Sequence, residues 1–547
     1  MEFDSVLIEP RRAAMEAEGF WPGKTVDDCF DACLAAAPNA LALTAVSVSD
    51  GTRSDLTWAE LDLAADRAAI GLRKLGVERG DVVTCQLPNS WQFVALYLGC
   101  SRIGAVFNPV MHIFRERELS FMLAHGEAKV FVVPRIFNKF DHEAMAEGLK
   151  PDLPRLEHIV VMGGEGTNSF EALLGNPDFD LERGSITRDT RLGPNDVIEL
   201  IYTSGTTGEP KGAMHTPNTI LSNLMPLAER LKMGSKDVLL MASPMAHQTG
   251  FAYGLILPVM LGARMVLMDK WDKVIAADLV ATEGVSWTMA STPFLMDLTN
   301  AVEEGKTDTS SLRIFLCAGT VIPGPVVERA QNVLGARVIS AWGMSENGAV
   351  TTVRLEDPDY QSAVSDGIPL PGVELEIRDA EGKPVGPGIE GDIHLRACSN
   401  FGGYLKRPHL NGMDDNGWFD TGDRGRVDEK GYVRICGRSK DIIIRGAENI
   451  PVVEVEAELY KHPAVATVAV VAEPDERLGE RACAFIIPKP GQSLTFDEMK
   501  AFLQERGLTK QYWPERLELR DGLPMTASGK IQKFALREEL RREAGLE

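Results

Sequence analysis

Short apolar runs alternate with longer stretches of helical periodicity up to about residue 370. In the helical stretch 57–75, apolar side chains recur every three or four positions, as at Leu61, Ala64 and Ala68. Ser90 can cap a further helix over residues 91–103. Strands and helices in this alternation form βαβ units, so the pattern predicts an α/β fold with a largely parallel sheet. The runs predicted to be strands are residues 82–87, 128–133, 158–162, 197–201, 238–242, 263–268, 285–290, 312–317 and 337–341.

The pattern changes after about residue 370. Short strands with Gly and Pro in the turns, as in residues 384–388, predict a small β subdomain. Beyond residue 441, helices over 452–461 and 496–506 flank two short strands in an α+β arrangement. At 547 residues the chain exceeds one ordinary hydrophobic core. We therefore predict a large N-terminal domain over 1–439, made of βαβ subdomains plus the β subdomain, and a small α+β C-terminal domain over 440–547.

The composition is that of a globular protein, with 44% hydrophobic and 25% charged residues. The net charge of −22 argues against a general binder of nucleic acid or anionic membranes. The acidic start of the chain is unlike a signal peptide, and no apolar run approaches the roughly 18 residues of a membrane span. Cys29 and Cys33 are interpreted as buried small side chains rather than metal ligands. We expect a cytoplasmic protein.

A glycine-rich loop follows the predicted strand at 197–201. We call residues 203–212, Thr-Ser-Gly-Thr-Thr-Gly-Glu-Pro-Lys-Gly, the phosphate loop. Its glycines let the backbone approach a ligand, and its hydroxyl and N–H groups, with the cation of Lys211, suit phosphate oxygens. The loop lacks the Gly-Lys-Ser/Thr ending of a Walker A motif. Taken alone, it fits either a surface loop or a nucleotide site.

Three more motifs follow predicted strands in the same way, at residues 244–250, 318–320 and 342–346. In parallel sheets, ligands collect beyond the carboxyl ends of the strands. The coincidence of four motifs at such ends favours a ligand site over unrelated surface loops.

With these pieces in this order, the chain from about residue 25 onward resembles an acyl-CoA synthetase of the acyl-adenylate-forming (AMP-binding) superfamily. The resemblance implies two half-reactions. A carboxylate attacks the α-phosphate of ATP, giving acyl-AMP and pyrophosphate, and the thiol of coenzyme A then attacks acyl-AMP, giving the thioester and AMP. ATP, Mg²⁺ and coenzyme A are therefore the expected ligands besides the acid. The motifs that carry the resemblance are the phosphate loop, Trp342-Gly343-Met344-Ser345-Glu346, Thr421-Gly422-Asp423, Gly437-Arg438-Ser439-Lys440-Asp441 and Ser528-Gly529-Lys530.

The resemblance implies four catalytic residues. Lys530 is expected to reach the α-phosphate and the attacking carboxylate, because a flexible ammonium group can follow a charge that moves. Glu346 matches the Mg²⁺ ligand, and one carboxylate plus ATP phosphates is the usual way a protein binds this ion. Lys211 serves the phosphates, and His247 is placed beside the acyl carboxylate.

The resemblance also implies the contacts to the nucleotide. Trp342 stands at the aromatic position against adenine, and Asp423 matches the carboxylate that accepts the ribose hydroxyls. Ser345 stands where the family generally has threonine, and it keeps the hydroxyl group. The implied ATP- or AMP-binding residues are Thr203, Ser204, Gly205, Thr206, Thr207, Gly208, Lys211, Thr320, Trp342, Gly343, Met344, Ser345, Asp423 and Arg438.

The remaining implied residues serve the acyl group, coenzyme A and domain movement. The C-terminal domain of the family swings between the half-reactions, and the hinge is expected at Lys440, with Asp441 as second choice. The implied acyl-binding residues are His247, Ala318, Gly319 and Gly348, and the implied CoA-binding residues are Gly446 and Ala447.

The presumed acyl pocket has apolar neighbours and no charged residue that would pair with an amino acid. We therefore expect an acid–CoA ligase for an uncharged acid, alicyclic or medium-chain, close to the cyclohexanecarboxylate–CoA ligase branch. The alternatives are a stand-alone amino-acid or aryl-acid adenylating enzyme, a peptide-synthetase adenylation module, a luciferase-like oxygenase and a non-catalytic acyl- or nucleotide-binding relative. Monomer and homodimer are both compatible with the sequence. The apolar neighbours are Met245, Phe251, Ala252, Tyr253 and Ala349.

Overall fold

The computed structural model describes residues 3–203, 210–319, 322–438, 443–445, 448–475, 479–508, 510–526 and 529–545. Several helices begin where the sequence offers a capping side chain. Ser90 accepts the backbone N–H of Phe93 at 3.3 Å and starts a helix with the predicted bounds. The helices are α1 (Glu9–Ala17), α2 (Val26–Ala36), α3 (Trp58–Lys74), α4 (Trp91–Ile103), α5 (Glu116–His125), α6 (His142–Leu149), α7 (Phe170–Leu173), α8 (Pro217–Arg230), α9 (Leu257–Leu261), α10 (Lys273–Glu283), α11 (Thr292–Gly305), α12 (Gly324–Leu334), α13 (Gln361–Val364), α14 (Val452–Leu459), α15 (Phe496–Glu505) and α16 (Lys533–Glu543).

The strands lie in four main sheets and one short hairpin. They are β1 (Leu41–Val46), β2 (Arg53–Thr57), β3 (Val82–Cys85), β4 (Val106–Pro109), β5 (Ala128–Pro134), β6 (Ile136–Phe137), β7 (Phe140–Asp141), β8 (His158–Met162), β9 (Glu199–Thr203), β10 (Lys211–His215), β11 (Val238–Met241), β12 (Arg264–Met268), β13 (Trp287–Ala290), β14 (Ile314–Cys317), β15 (Arg337–Met344), β16 (Gly348–Thr352), β17 (Ile368–Pro369), β18 (Val373–Arg378), β19 (Gly391–Ala397), β20 (Phe419–Val427), β21 (Val433–Arg438), β22 (Ile443–Arg445), β23 (Glu448–Ile450), β24 (Val465–Asp475), β25 (Gly479–Pro488) and β26 (Arg516–Leu519).

Two large sheets, mostly parallel, form the body of the molecule. The six-stranded sheet has the order β10-β9-β4-β3-β5-β8, and only its edge strand β10 is antiparallel to its neighbour. The nine-stranded sheet has the order β17-β16-β15-β14-β13-β11-β12-β1-β2. It is parallel from β15 to β1 and antiparallel at both margins. The predicted α/β fold is confirmed.

The two large sheets share one hydrophobic core. Tyr97 of α4, Phe107 of β4 and Phe251 meet there, with ring centroids 5.1 Å apart for Tyr97 and Phe251 and 6.0 Å for Phe107 and Phe251. Strands covered on both faces must be apolar on both faces, which explains why they appear in the sequence as continuous apolar runs.

A small antiparallel sheet, β18-β19-β20-β21, follows the nine-stranded sheet, as predicted for the β subdomain. The C-terminal sheet then has the order β23-β22-β25-β24, with β26 alongside β25. Strand β21 belongs to the first of these sheets and β22 to the second. The predicted hinge Lys440 falls between them and lies outside the described residues, so the boundary at 439/440 stays a prediction.

Helix α1 connects the start of the chain to the small sheet region. Arg11 donates to the carbonyl oxygens of Ala397 (3.1 Å), Asn400 (2.7 Å) and Phe401 (2.9 Å). Ile8 packs with Trp21 and Cys398 in a small apolar cluster beneath it. The N-terminal helix therefore fixes the loop that connects β19 to β20.

Three details differ from the sequence-based expectation. The strand expected to end at Ala341 continues to Met344, because residues beyond Ser340 leave parallel strand β14 and pair with antiparallel strand β16. Lys211 and Gly212 begin β10 instead of closing a loop. Cys29 and Cys33 are only partly buried, although both pack against the main core.

Among the described residues, no helix combines the length and the apolar character needed to cross a membrane.

Candidate active site

Glu346 lies in the turn between β15 and β16, which we call the Glu346 turn (residues 343–348). Its side chain is buried, and the hydroxyl of Tyr404 donates to Glu346 Oε1 at 2.6 Å. Lys211 Nζ in turn donates to Tyr404 Oη at 3.1 Å and lies 4.2 Å from the centre of the Tyr404 ring. Burial, followed by the charge of Glu346, raises the pKa of Tyr404, so the phenol remains a donor. Tyr404 thus joins two predicted catalytic residues. The only local sign of this role is the run Gly402-Gly403-Tyr404.

Backbone contacts fix the Glu346 turn. His215 Nε2 donates to the carbonyl oxygen of Ser345 at 2.7 Å, and burial lowers the pKa of His215 to about 4, so this histidine is neutral. The N–H of Phe401 donates to the carbonyl oxygen of Glu346 at 2.7 Å. A Cβ atom on Gly343 would lie 1.7 Å from the carbonyl oxygen of Gly348, so the hairpin requires glycine at this place. His215 was not identified from the sequence, because its role depends on a contact 130 positions away.

Trp342 and Asp423 are brought together from two different sheets. The indole Nε1–H of Trp342 donates to Asp423 Oδ2 at 2.9 Å, and both residues are buried. Asp423 lies within β20 and is paired with Arg438 of β21 across the ladder. The two predicted nucleotide contacts are therefore fixed relative to each other through a hydrogen bond.

Residues 241–250 form a tight connection after β11. Asn89 donates through Nδ2 to the carbonyl oxygens of Met241 (3.3 Å) and Ser243 (2.9 Å), and its Oδ1 accepts the N–H of Met245 at 2.7 Å. A Cβ atom on Gly250 would lie 2.2 Å from the carbonyl oxygen of Pro244. Asn89 was missed as a site residue, because the Pro-Asn-Ser run marks a strand end without showing what the amide reaches.

His247 is presented by this connection, just before a π-helical segment over Thr249–Ile256. Its Nδ1 accepts the N–H of Thr249 at 3.2 Å, so the neutral ring carries its proton on Nε2. Burial, followed by the positive charge of Lys530, lowers the pKa of His247 to about 4. The ring is therefore neutral near pH 7 and can donate to an anionic group.

Lys530 belongs to the C-terminal part of the chain and lies within electrostatic range of His247. Its backbone forms a turn with Thr526, whose N–H donates to the Lys530 carbonyl oxygen at 2.7 Å. Gly529 has a φ of +76°, and a Cβ atom there would lie 3.1 Å from Ser291 Oγ and 3.2 Å from Phe294 Cε2. We call Gly529 and Lys530 the lysine turn. It is docked against the start of helix α11.

The predicted acyl-binding glycines differ in their surroundings. A Cβ atom on Gly319 would have no atom within 4 Å, whereas on Gly348 it would lie 2.5 Å from Asn223 Oδ1 and 3.0 Å from Tyr253 Oη. Tyr253 donates to Asn223 Oδ1 at 2.8 Å and accepts the N–H of Ala349 at 2.6 Å. We call this hydrogen-bonded group, Asn223, Tyr253 and Ala349, the polar wall. Ala318 packs against the main core from a partly buried position.

Several predicted site residues lie outside the part of the chain that the structure describes, or at its margin. Thr203 and Lys211 face each other in the β9/β10 pair at the base of the phosphate loop. The side chain of Arg438 is not described. The residues that lie outside the described part of the chain are Ser204, Gly205, Thr206, Thr207, Gly208, Thr320, Lys440, Gly446 and Ala447.

Two family models match the chain. The model for the AMP-binding enzyme matches residues 30–405, and the model for the AMP-binding enzyme C-terminal domain matches residues 454–530. The first model alone covers more than half of the chain.

Individual relatives agree with this match. A medium-chain fatty-acid–CoA ligase of Escherichia coli (strain K12) is 36% identical, covering 99% of this chain and 95% of the relative. A salicylyl-CoA synthase / salicylate adenylyltransferase of Streptomyces sp is 34% identical, covering 91% of each chain. The crystal structure of an anthranilate CoA ligase in complex with anthranoyl-AMP superposes with a TM-score of 0.83 at 26% identity, covering 96% of this chain and 98% of that one. The chain therefore belongs to the AMP-binding enzyme family, and the resemblance drawn from its ordered motifs is confirmed.

Proposed function

We propose that the protein is an ATP-dependent, AMP-forming acid–CoA ligase. In the first half-reaction a carboxylate oxygen of the acid bonds to the α-phosphorus of ATP, and pyrophosphate leaves. In the second, the sulfur of coenzyme A bonds to the acyl carbon, AMP leaves, and the thiol proton is released. The observation that carries the proposal is the docking of Gly529 against Ser291 and Phe294 at the start of α11, which brings Lys530 within electrostatic range of His247.

The adenylation step needs positioning and charge neutralisation more than covalent help. We assign Lys530 to the α-phosphate and the acid carboxylate, and Lys211 with residues 203–208 to the outgoing phosphates. Neutral His247 would donate its Nε2–H to the acid carboxylate. Each assignment places a donor or a cation where negative charge gathers.

The residues present fit a magnesium ion that would bind together with ATP. Among the residues that the structure describes, no group of three or more His, Cys, Asp and Glu side chains could form a site from protein ligands alone. Glu346 offers one buried carboxylate, which together with phosphate oxygens suits Mg²⁺. The ion would neutralise phosphate charge, while Tyr404 holds the Glu346 carboxylate in place.

We assign the nucleoside to Trp342, Asp423 and Arg438, with Gly343, Met344, Ser345 and Thr320 along the same edge. The hydrogen bond from Trp342 to Asp423 supports this assignment, because it fixes a ribose acceptor beside an aromatic surface.

The acid is proposed to be medium-chain or alicyclic, with cyclohexanecarboxylate as one candidate. The E. coli relative, named for medium-chain fatty acids, supports this, as do the buried Phe251 and Ala252 near His247. We place the acyl group between His247 and the segment Ala318-Gly319, with Gly348 and the polar wall at its far end. The Streptomyces relative, named for salicylate, makes an aryl acid the second candidate.

The second half-reaction requires a different set of groups at the same acyl carbon. We propose that residues 440–547 swing about Lys440, which would withdraw Lys530 and bring Gly446 and Ala447 to the pantetheine chain of coenzyme A.

A panel of carboxylic acids tests the proposal. Pyrophosphate release would be measured with ATP and Mg²⁺, with and without coenzyme A, for octanoate, hexanoate, cyclohexanecarboxylate, benzoate, salicylate and the common amino acids. The expected result is release with the alkanoates or cyclohexanecarboxylate and formation of the matching CoA thioester. A preference for benzoate or salicylate would favour the aryl acid, and pyrophosphate with amino acids alone would contradict the ligase.

A further inference from the structure

Glu199 is a carboxylic acid buried in the middle of an apolar strand. It has no exposed surface, and its neighbours along the chain, Ile198, Leu200 and Ile201, are also buried. In the part of the chain that the structure describes, no basic side chain forms an ion pair with it. Burial raises the pKa of Glu199 well above its usual range, because the charged form loses its solvation by water.

The carboxyl group of Glu199 meets the side chain of Gln248. With its amide nitrogen turned towards Glu199, Gln248 Nε2 lies 3.0 Å from Oε1 and 3.2 Å from Oε2. Gln248 is itself buried and comes directly after His247 in the chain. The contact therefore joins strand β9, which leads into the phosphate loop, to the segment that presents His247.

The fold gains little from a carboxyl group in this place. Burying a polar group costs free energy that one hydrogen bond only partly returns. Replacing both partners of a buried polar contact by apolar side chains of similar volume often leaves the stability unchanged or raises it. Each of the other residues at positions 198–201 is apolar, so a leucine would suit the same surroundings. What a leucine could not supply is the contact to Gln248.

The contact completes the fixation of residues 241–250. Asn89 holds the front of this connection through three hydrogen bonds, to Met241, Ser243 and Met245. The contacts of Asn89 end at Met245, and beyond them the side chain of Gln248 meets Glu199 of β9. Without Glu199, the end of the connection that carries His247 would lose its side-chain contact with β9.

We propose that Glu199 is a positioning residue: through Gln248 it sets the position of His247 relative to the phosphate loop. The inference rests on the proposed ligase function, since it concerns where the acid carboxylate is held. A displacement of His247 weakens its contact with the acid and hinders the approach of the acid carboxylate to ATP. The proposed ATP contacts of β15 and β20 are unaffected. Its signature is therefore a change in the KM for the acid and in kcat, with the KM for ATP unchanged.

Four variants test the inference with the acid that the panel ranks highest. We expect Glu199→Leu to raise the KM for the acid about tenfold, because a factor of this size corresponds to the loss of one buried hydrogen bond. The KM for ATP should stay within about twofold. Glu199→Gln keeps the volume and accepts from Gln248, so it should stay close to the original chain. Gln248→Leu removes the contact from the other side, and the double variant Glu199→Leu/Gln248→Leu should be no worse than either single change. Asp27→Asn, at a buried acid of helix α2 that is bonded to Ser101 and not to residues 241–250, is the control and should change neither KM.

Thermal unfolding separates positioning from structural support. We expect the unfolding midpoint of the double variant Glu199→Leu/Gln248→Leu, which leaves neither buried partner unsatisfied, to equal or exceed that of the original chain. An unchanged KM for the acid in Glu199→Leu would overturn the inference, and so would equal impairment of Glu199→Gln. Loss of stability in both Glu199→Leu and Gln248→Leu that accounts for their lost activity would also overturn it. If the original chain releases no pyrophosphate with any acid, the ligase proposal fails first, and the inference falls with it.

Discussion

The docked position of Lys530 gives the sharpest prediction at the scale of single residues. Lys530→Ala should lower acyl-AMP formation from acid and ATP by about a hundredfold or more, since it removes a charge aimed at the reacting phosphate. Thioester formation from supplied acyl-AMP and coenzyme A should remain close to that of the original chain. The two rates can be measured separately, by pyrophosphate release and by thioester absorbance.

A second lysine of the same region provides the control for this variant. Lys533 pairs with Glu456 at 2.7 Å, away from His247, so Lys533→Ala should leave both half-reactions unchanged. Equal loss of both half-reactions in Lys530→Ala would contradict domain alternation, because it would mean that Lys530 takes part in both half-reactions.

Tyr404 gives a prediction about the metal. Tyr404→Phe removes the hydroxyl group between Lys211 and Glu346. The released carboxylate should raise the Mg²⁺ concentration needed for half-maximal pyrophosphate release about tenfold, the usual effect of one lost hydrogen bond to a charged group.

The control for Tyr404→Phe is another tyrosine bonded to a carboxylate. Tyr432 donates to Asp357 Oδ1 at 2.6 Å, so Tyr432→Phe reproduces the chemistry of the change outside the candidate active site. An identical Mg²⁺ titration for the two variants would refute the role given to Tyr404.

At the scale of elements, we propose that the Glu346 turn limits the space at the end of the proposed acyl pocket. Gly348 has a φ of +70°, and Gly348→Ala would drive a methyl group into Asn223 and Tyr253. Backbone strain alone should cost about 1 kcal/mol of unfolding free energy. The displaced polar wall should in addition raise the KM for the acid, most for the largest acids, as measured across the panel.

Gly335→Ala separates strain from crowding. Gly335 has a φ of +67°, but a Cβ atom there has no atom within 4 Å. The variant should therefore lose stability without a change in the KM for any acid. A KM for the acid that is equal in the two variants would show that the polar wall does not bound the pocket.

The sequence predicts elements better than the contacts between them. Strand β8 and helix α4 have the expected bounds, because an apolar run or a capping serine is local information. The contacts of Asn89, His215 and Tyr404 depend on which loops meet. The hydrophobic periodicity of the sequence does not show which loops meet. The continuation of β15 to Met344 was missed for the same reason, since it needs the antiparallel partner β16.

At the scale of the whole molecule, buried histidines should make stability depend on pH. Burial lowers the pKa of His142 and of His215 from 6.5 to about 4, so the unfolded chain takes up protons before the folded one. The free energy of unfolding should therefore fall as the pH drops from about 6.5 towards 4. Each of these two fully buried histidines contributes at most about 1.4 kcal/mol per pH unit in this range.

His142 allows the effect to be isolated, because it contacts Gln86 rather than the candidate active site. Urea unfolding of the original chain and of His142→Gln would be compared at pH 7, 6 and 5. The difference between the two free energies cancels the contribution of the buried carboxyl groups, and it should shift in favour of the variant as the pH falls. A difference that is constant with pH would show that His142 is protonated equally in both states.

The bonds of Arg11 have a consequence for the order in which the molecule can form. They join residue 11 to carbonyl groups as far as residue 401 of a 547-residue chain, and Phe401 in turn bonds the backbone of Glu346. During synthesis from the N-terminus, the first helix must wait for most of the chain before its partners exist. The earliest segment to leave the ribosome is thus among the last to dock, and a nascent chain that stops before residue 401 carries Glu346 without the contact that fixes its backbone.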